Sequence, residues 1–177
     1  MTLAIAHKEG DCGVLDAIRE VKPPFSPEAT VAEFCDLLKQ YRLTEVTGDR
    51  YAGEWPREQF RKLNVTYNLS DRAKSDIYRE ALPLLNSGKV ELLDLPRLTS
   101  QLCGLERRTA RGGRDSIDHS PGTHDDVANA AAGALVLAAG RLGKAALWAK
   151  LGEGAAPQFS PWGGAASSRF AQRFGQG

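Results

Sequence analysis

Short apolar segments parted by turn residues open this chain, and apolar residues then recur every three or four positions; that change of pattern marks out its elements. "TLAIAH" and "VLDAIREV" are short apolar segments parted by the turn residues Gly10, Asp11 and Gly13, which predicts a β-hairpin. "VKPPF" ends the second strand, because proline cannot donate to a strand ladder. Ser26 suits an N-cap with Pro27 at the first helical position, and Ala29, Val31 or Ala32, Phe34, Cys35, Leu37 and Leu38 continue at helical spacing to Tyr41. "LTEVTGD" predicts a strand ending at Asp49, "EWPREQFRKL" a helix and "NVTYNL" another strand. Ser70 to Leu85 has the pattern of a long helix, "KVELL" of a brief strand and "DLPRLTSQLCGL" of a further helix. "ERRTARGGRDSIDHSPG" reads as a polar loop or a hairpin. A helix of small residues then runs from about Asp125 to Arg141 or beyond. A hairpin followed by alternating helices and strands predicts an α/β domain, with a mixed sheet flanked by helices.

That domain is expected to span residues 1–145, and residues 146–177 to form a largely disordered tail. The tail is rich in Gly, Ala, Ser and Pro, above all from Gly152, and buries too little to offset its ordering entropy.

Composition narrows the functional classes. A chain of 177 residues is long enough for one domain with a substantial core. Its net charge of +1 means that any contact with a polyanion must come from local clusters. Three cysteines, Cys12, Cys35 and Cys103, lie far apart without a CxxC pair, which fits a reducing compartment better than disulfides or zinc. The apolar run in "MTLAIAHKEG" is cut short by His7, Lys8 and Glu9, too early for a signal peptide. No stretch reaches the roughly 20 apolar residues of a membrane span, so no membrane partner is expected. Neither a Walker A pattern nor a GxSxG elbow occurs in the sequence.

Three clusters carry candidate chemistry. Thr123 and Asp126 have the spacing of a capping box, yet one acid suffices for a cap, and Asp125 and His124 stand beside it. The small residues behind, Ala128 and Ala130 to Ala134 with Gly133 among them, let the helix backbone approach a sheet closely and hold an acid rigidly at its edge. Asp49 lies where a strand ends and a helix is about to begin, the place where ligands of open α/β sheets collect; an Asx-turn is the plainer account. Arg107, Arg108, Arg111 and Arg114, broken by Gly112 and Gly113, suit phosphate contacts or a solvated loop. Arg72, Lys74 and Arg79 could extend a phosphate-facing rim. His7 and His119 stand alone and read as structural or surface residues.

"VTGDRYAGEWPREQFRK", "SDRAKSDIYREALPLLNSGKVELLD", "LERRTARGGRDSIDH" and "GTHDDVANA", in that order over roughly residues 1–140, resemble the nuclease domain of the large terminase subunit of tailed bacteriophages. The resemblance implies a ribonuclease H-like fold and cutting of double-stranded DNA during genome packaging. It implies two divalent ions, Mg²⁺ or Mn²⁺, held by acids, with Asp49 matching the second-strand acid and Asp126 the last acid, Asp125 adjacent or assisting. Arg107, Arg108, Arg111, Arg114 and Lys74 become candidate DNA contacts, other terminase or portal subunits candidate partners, and the host-cell cytoplasm the expected location. The family's first catalytic aspartate sits on a central strand that this chain does not match, and the preceding ATPase domain has no match either. That strand would lie mid-sheet, between the hairpin and the strand ending at Asp49, so its neighbours are expected either to close the gap or to leave backbone groups exposed at two edges, with weak stability and low or no nuclease activity. The competing readings are a non-catalytic prophage remnant or DNA- or packaging-subunit-binding fragment, and another ribonuclease H-like nuclease such as a junction resolvase or transposase.

Overall fold

The computed structural model describes residues 1–49, 54–109, 115–140 and 146–150. β1 (Thr2–Glu9) and β2 (Cys12–Glu20) form the expected antiparallel hairpin. α1 (Pro27–Gln40) follows, with Ser26 Oγ accepting from Ala29 N at 3.4 Å and a proline in its first turn. β3 (Glu45–Gly48), α2 (Glu54–Lys62), β4 (Thr66–Leu69), α3 (Lys74–Asn86), β5 (Val90–Glu91) and α4 (Pro96–Cys103) then alternate. β6 (Leu105–Thr109) and β7 (Asp115–His119) pair antiparallel, so the polar arginine segment is a hairpin. α5 (Asp126–Gly140) and β8 (Ala146–Lys150) complete the described chain.

Two boundaries differ from the sequence pattern. β3 ends at Gly48, one residue before Asp49. α3 begins at Lys74 instead of Ser70, because the Ser70 hydroxyl closes a turn by accepting from Arg72 N at 3.1 Å and donating to Arg72 O at 3.0 Å. Such side-chain bonds compete with helix formation.

The larger correction concerns the centre of the sheet. Six strands lie in the order β4-β3-β8-β1-β2-β5, so β8 stands between the hairpin and β3. It pairs antiparallel with β1, from Thr2↔Lys150 to Ala6↔Ala146, and parallel with β3, at Thr47↔Trp148 and Gly48↔Ala149. The expected gap is filled, and by residues 146–150 of the stretch expected to be tail. Pairing on both sides meets the backbone groups that an empty slot would strand on β1 and β3. The predicted disorder of residues 151–177 lies outside the described residues.

β1 sets the two faces of the sheet. Leu3 and Ile5 point to a core with Val31, Phe34, Cys35 and Leu38 of α1, Phe60 of α2 and Val46 and Tyr67 of the parallel strands. Ala4 and Ala6 point the other way, to α5, with Ile77 and Tyr78 of α3, Leu98 of α4 and Ile117 of β7 around it. Phe34 and Phe60 are fully buried, and each such side chain contributes about 1.5–3 kcal/mol over an exposed one. α5 is buried on nearly every side, from Val127 to Ala138. Its alanines, laid on Ala4 and Ala6, permit that close seat on the sheet. Gly13 belongs to the same fit: a Cβ there would stand 3.3 Å from Leu135 Cδ2. Among the described residues no helix is long and apolar enough to cross a membrane.

Candidate metal centre

The site is built at the start of α5. Past β7 the chain turns through Ser120–Pro121–Gly122, where Gly122 has φ +80°, a conformation that side-chain-bearing residues rarely adopt. Asp125 precedes the helix, and its backbone carbonyl accepts from Asn129 N at 2.7 Å. By position it is the N-cap, whose side chain ordinarily accepts from the next backbone N–H groups. Here Gln101 of α4 takes that role. Its Oε1 accepts from Val127 N at 2.9 Å and Ala128 N at 3.0 Å. The capping-box expectation is thus corrected at its acceptor: Thr123 Oγ1 donates instead to Ser120 O at 2.7 Å.

Relieved of capping, the Asp125 carboxylate turns into the protein, where the residue is only 1% exposed. Its Oδ2 accepts from Tyr78 OH at 2.8 Å and lies 3.2 Å from Lys74 Nζ. Burial first, and then the Asp125 charge and hydrogen bond, hold the Tyr78 phenol far above its ordinary pKa, so it stays a donor. The Lys74 ammonium also reaches Asp118 Oδ1 of β7 at 2.5 Å. Partial burial pulls the Asp118 pKa upward, but Lys74 and the His119 N–H outweigh it and the net shift is downward. Ser75 pins the strand to α3, accepting from Ile117 N at 3.0 Å and donating to Ile117 O at 3.2 Å. His119 Nδ1 lies 3.0 Å from Ser120 O, which can only accept. That nitrogen therefore donates, and Nε2 lies 3.6 Å from Asp118 Oδ1. Asp118, His119 and Asp125 each offer a ligand atom, all within 4.8 Å of one another.

Asp49 follows Gly48 at the same end of the sheet. Gly48 and Leu3 both pair with Ala149, so they are two strand spacings, roughly 10 Å, apart. The Met1 amine, at that end of β1, is lowered in pKa by burial and held up in part by Asp126 and Glu20. Asp126 and Asp49 thus belong to one end of the sheet. Tyr67 OH donates to the Asp49 carbonyl at 3.2 Å, and burial, then Asp49, raises that phenol too.

The other candidates fall elsewhere. Lys74 is turned between two carboxylates instead of lying on an open rim. Arg72 pairs with Glu80 at 2.8 Å, and Arg79 with Asp76. Arg107 and Arg108 are exposed on β6, where Arg108 meets Glu106 at 2.9 Å; Arg111 and Arg114 lie outside the described residues. His7 is paired with Asp16 at 2.8 Å. Sequence reasoning missed Asp118, His119, Tyr78 and Gln101. The turn signal "SPG" between "DH" and "HDD" could have pointed to the first two, since it folds them back towards Asp125. Gln101, 26 residues from Val127, carries no such local signal.

The sequence matches no protein-family model and no curated protein. Solved structures do match. The large terminase nuclease from thermophilic phage G20c superposes with a TM-score of 0.60 at 15% identity, over 73% of this chain and 80% of that one. The same nuclease with bound magnesium gives 0.59 at 14% identity, over 73% and 78%. With bound cobalt it gives 0.58 at 16% identity, again over 73% and 78%. This chain therefore has the ribonuclease H-like fold of a phage large-terminase nuclease domain.

Proposed function

We propose that the chain is the metal-dependent DNA endonuclease domain of a phage packaging terminase, with double-stranded DNA as substrate and other terminase or portal subunits as partners. The observation that carries this reading is the Asp125 carboxylate. It is buried, released from capping by Gln101, and grouped with Asp118 and His119 at the sheet end that also bears Asp49 and Asp126. A fold shared with a nuclease solved with magnesium and with cobalt supports it.

The donors fit a hard divalent ion. Carboxylate oxygens suit Mg²⁺ or Mn²⁺, and the imidazole beside them favours a transition ion. Asp49, Asp125 and Asp126 would hold the ions, with Asp118 and His119 supplying further ligand atoms. Two such ions supply an activated water and stabilise the leaving oxygen of a phosphodiester. The protein's part is to fix the acids in place. Tyr78 orients Asp125, Ser75 holds β7, and Arg107 and Arg108 stand exposed on the neighbouring strand for phosphate.

Cleavage of supercoiled plasmid with Mn²⁺ tests the proposal. Asp49→Ala and Asp125→Asn are each expected to cost more than the roughly 10–100-fold that loss of a mere supporting group causes. Cutting that survives chelation, or both substitutions, refutes the reading. The second reading, a fragment that binds DNA without cutting, has one observation in its favour: a lysine already neutralises the two carboxylates. Salt-dependent DNA binding with no Mn²⁺-dependent cleavage would establish it.

A further inference from the structure

Lys74 opens α3 and stands between two acids that come from different parts of the chain. Asp118 belongs to the β6–β7 hairpin, and Asp125 to the start of α5. A carboxylate as deeply buried as Asp125 needs positive charge beside it. Tyr78 brings a hydrogen bond but no charge; Lys74 brings a positive charge, 3.2 Å from the same oxygen. The ligand atoms that Asp118 and Asp125 offer lie within 4.8 Å of each other and of one from His119, a space for one cation. An ammonium and a divalent ion held together there would repel strongly in a partly buried setting.

We propose that Lys74 is a resident counter-ion bridging Asp118 and Asp125, and that a divalent ion enters by displacing its ammonium. The proposal rests on the metal-centre reading above and adds the residue that sets metal affinity. The lysine is built for such exchange. Its side chain is 26% exposed, and its flexible four-carbon stem lets the head withdraw to solvent without moving α3. Once released, the ammonium stays at the rim of the site as a point charge suited to phosphate. The same group that holds the two acids together thus turns towards DNA when metal arrives.

Two measurements on the full chain test this. Calorimetric titration with Mn²⁺ compares the wild type with Lys74→Met, which keeps an unbranched stem one atom shorter and removes the charge. The variant should bind roughly tenfold more tightly or better, the scale expected on removing a like charge a few ångströms away. Separately, mass spectrometry follows acylation of Lys74 in the wild type by an amine-reactive ester. Saturating Mg²⁺ should speed it severalfold, while reference lysines such as Lys39 do not change. Equal Mn²⁺ affinity in the two proteins, or acylation indifferent to Mg²⁺, overturns the exchange and leaves the metal centre standing. Failure of both proteins to bind Mn²⁺ overturns the metal centre and this proposal with it. If Lys74→Met does not fold, the acylation result decides alone.

Discussion

Replacing Gln101 by alanine probes the step on which the site depends. In the native fold Gln101 Oε1 accepts from two first-turn N–H groups of α5, at 2.9 and 3.0 Å, in a buried setting. Gln101→Ala removes the acceptor and strands both donors. Loss of an N-cap costs about 1–2 kcal/mol, and each buried donor left unsatisfied about 1–3 kcal/mol. The Asp125 carboxylate is the nearest replacement, so part of that cost returns if it rotates back to cap its own helix. We expect a net loss of about 2 kcal/mol, a fall in Tm of roughly 4–8 °C for a chain of this size. The rotation also takes the Asp125 carboxylate away from Asp118 and His119, so Mn²⁺ affinity falls along with stability. Urea unfolding, thermal melting and Mn²⁺ titration measure the three effects. Gln101→Glu keeps an acceptor at the helix N-terminus and should recover most of the stability. A Gln101→Ala protein within about 0.5 kcal/mol of the wild type, the ordinary range of a neutral surface change, refutes the claim that Gln101 frees Asp125.

Further tests address other contacts. Tyr78→Phe removes a hydrogen bond to a buried carboxylate and should cost about 1.5–3 kcal/mol in urea unfolding, with weaker Mn²⁺ binding; an unchanged midpoint would deny the bond its role. The double substitution Arg107→Ala and Arg108→Ala should lower the slope of log affinity against log salt for duplex DNA by about 2 if both side chains meet phosphate. A slope that does not move removes the β6–β7 hairpin from the DNA contact. Burial raises the Cys35 thiol from 9.0 to about 11, whereas Cys103 is exposed. The native protein keeps the Cys35 proton after the unfolded chain has lost it, so this contribution to stability is present below pH 9.0 and fades between 9.0 and about 11. Iodoacetamide at pH 8.5 should therefore label Cys103 and spare Cys35; equal labelling would mean that α1 opens readily.

Local pattern was enough for most elements. The short apolar segments of the hairpin, the Ser26–Pro27 helix start and the small-residue run of α5 each announce an element, because side-chain pattern follows backbone geometry. The same pattern marked Asp49 and the Asp125–Asp126 pair as acids at element ends. Period names a face but not the neighbour that covers it. The place of β8 between β1 and β3 comes from pairing with residues about 100 and 150 positions earlier, and five residues carry too little periodicity to announce it. The two acids next to α5 were equivalent by spacing. Tertiary structure separated them, because a glutamine from α4 caps the helix and a tyrosine and a lysine from α3 receive Asp125. Which carboxylate faces the site is thus decided by hydrogen-bond acceptors and charges that reach it through space, and only the packed fold brings those together.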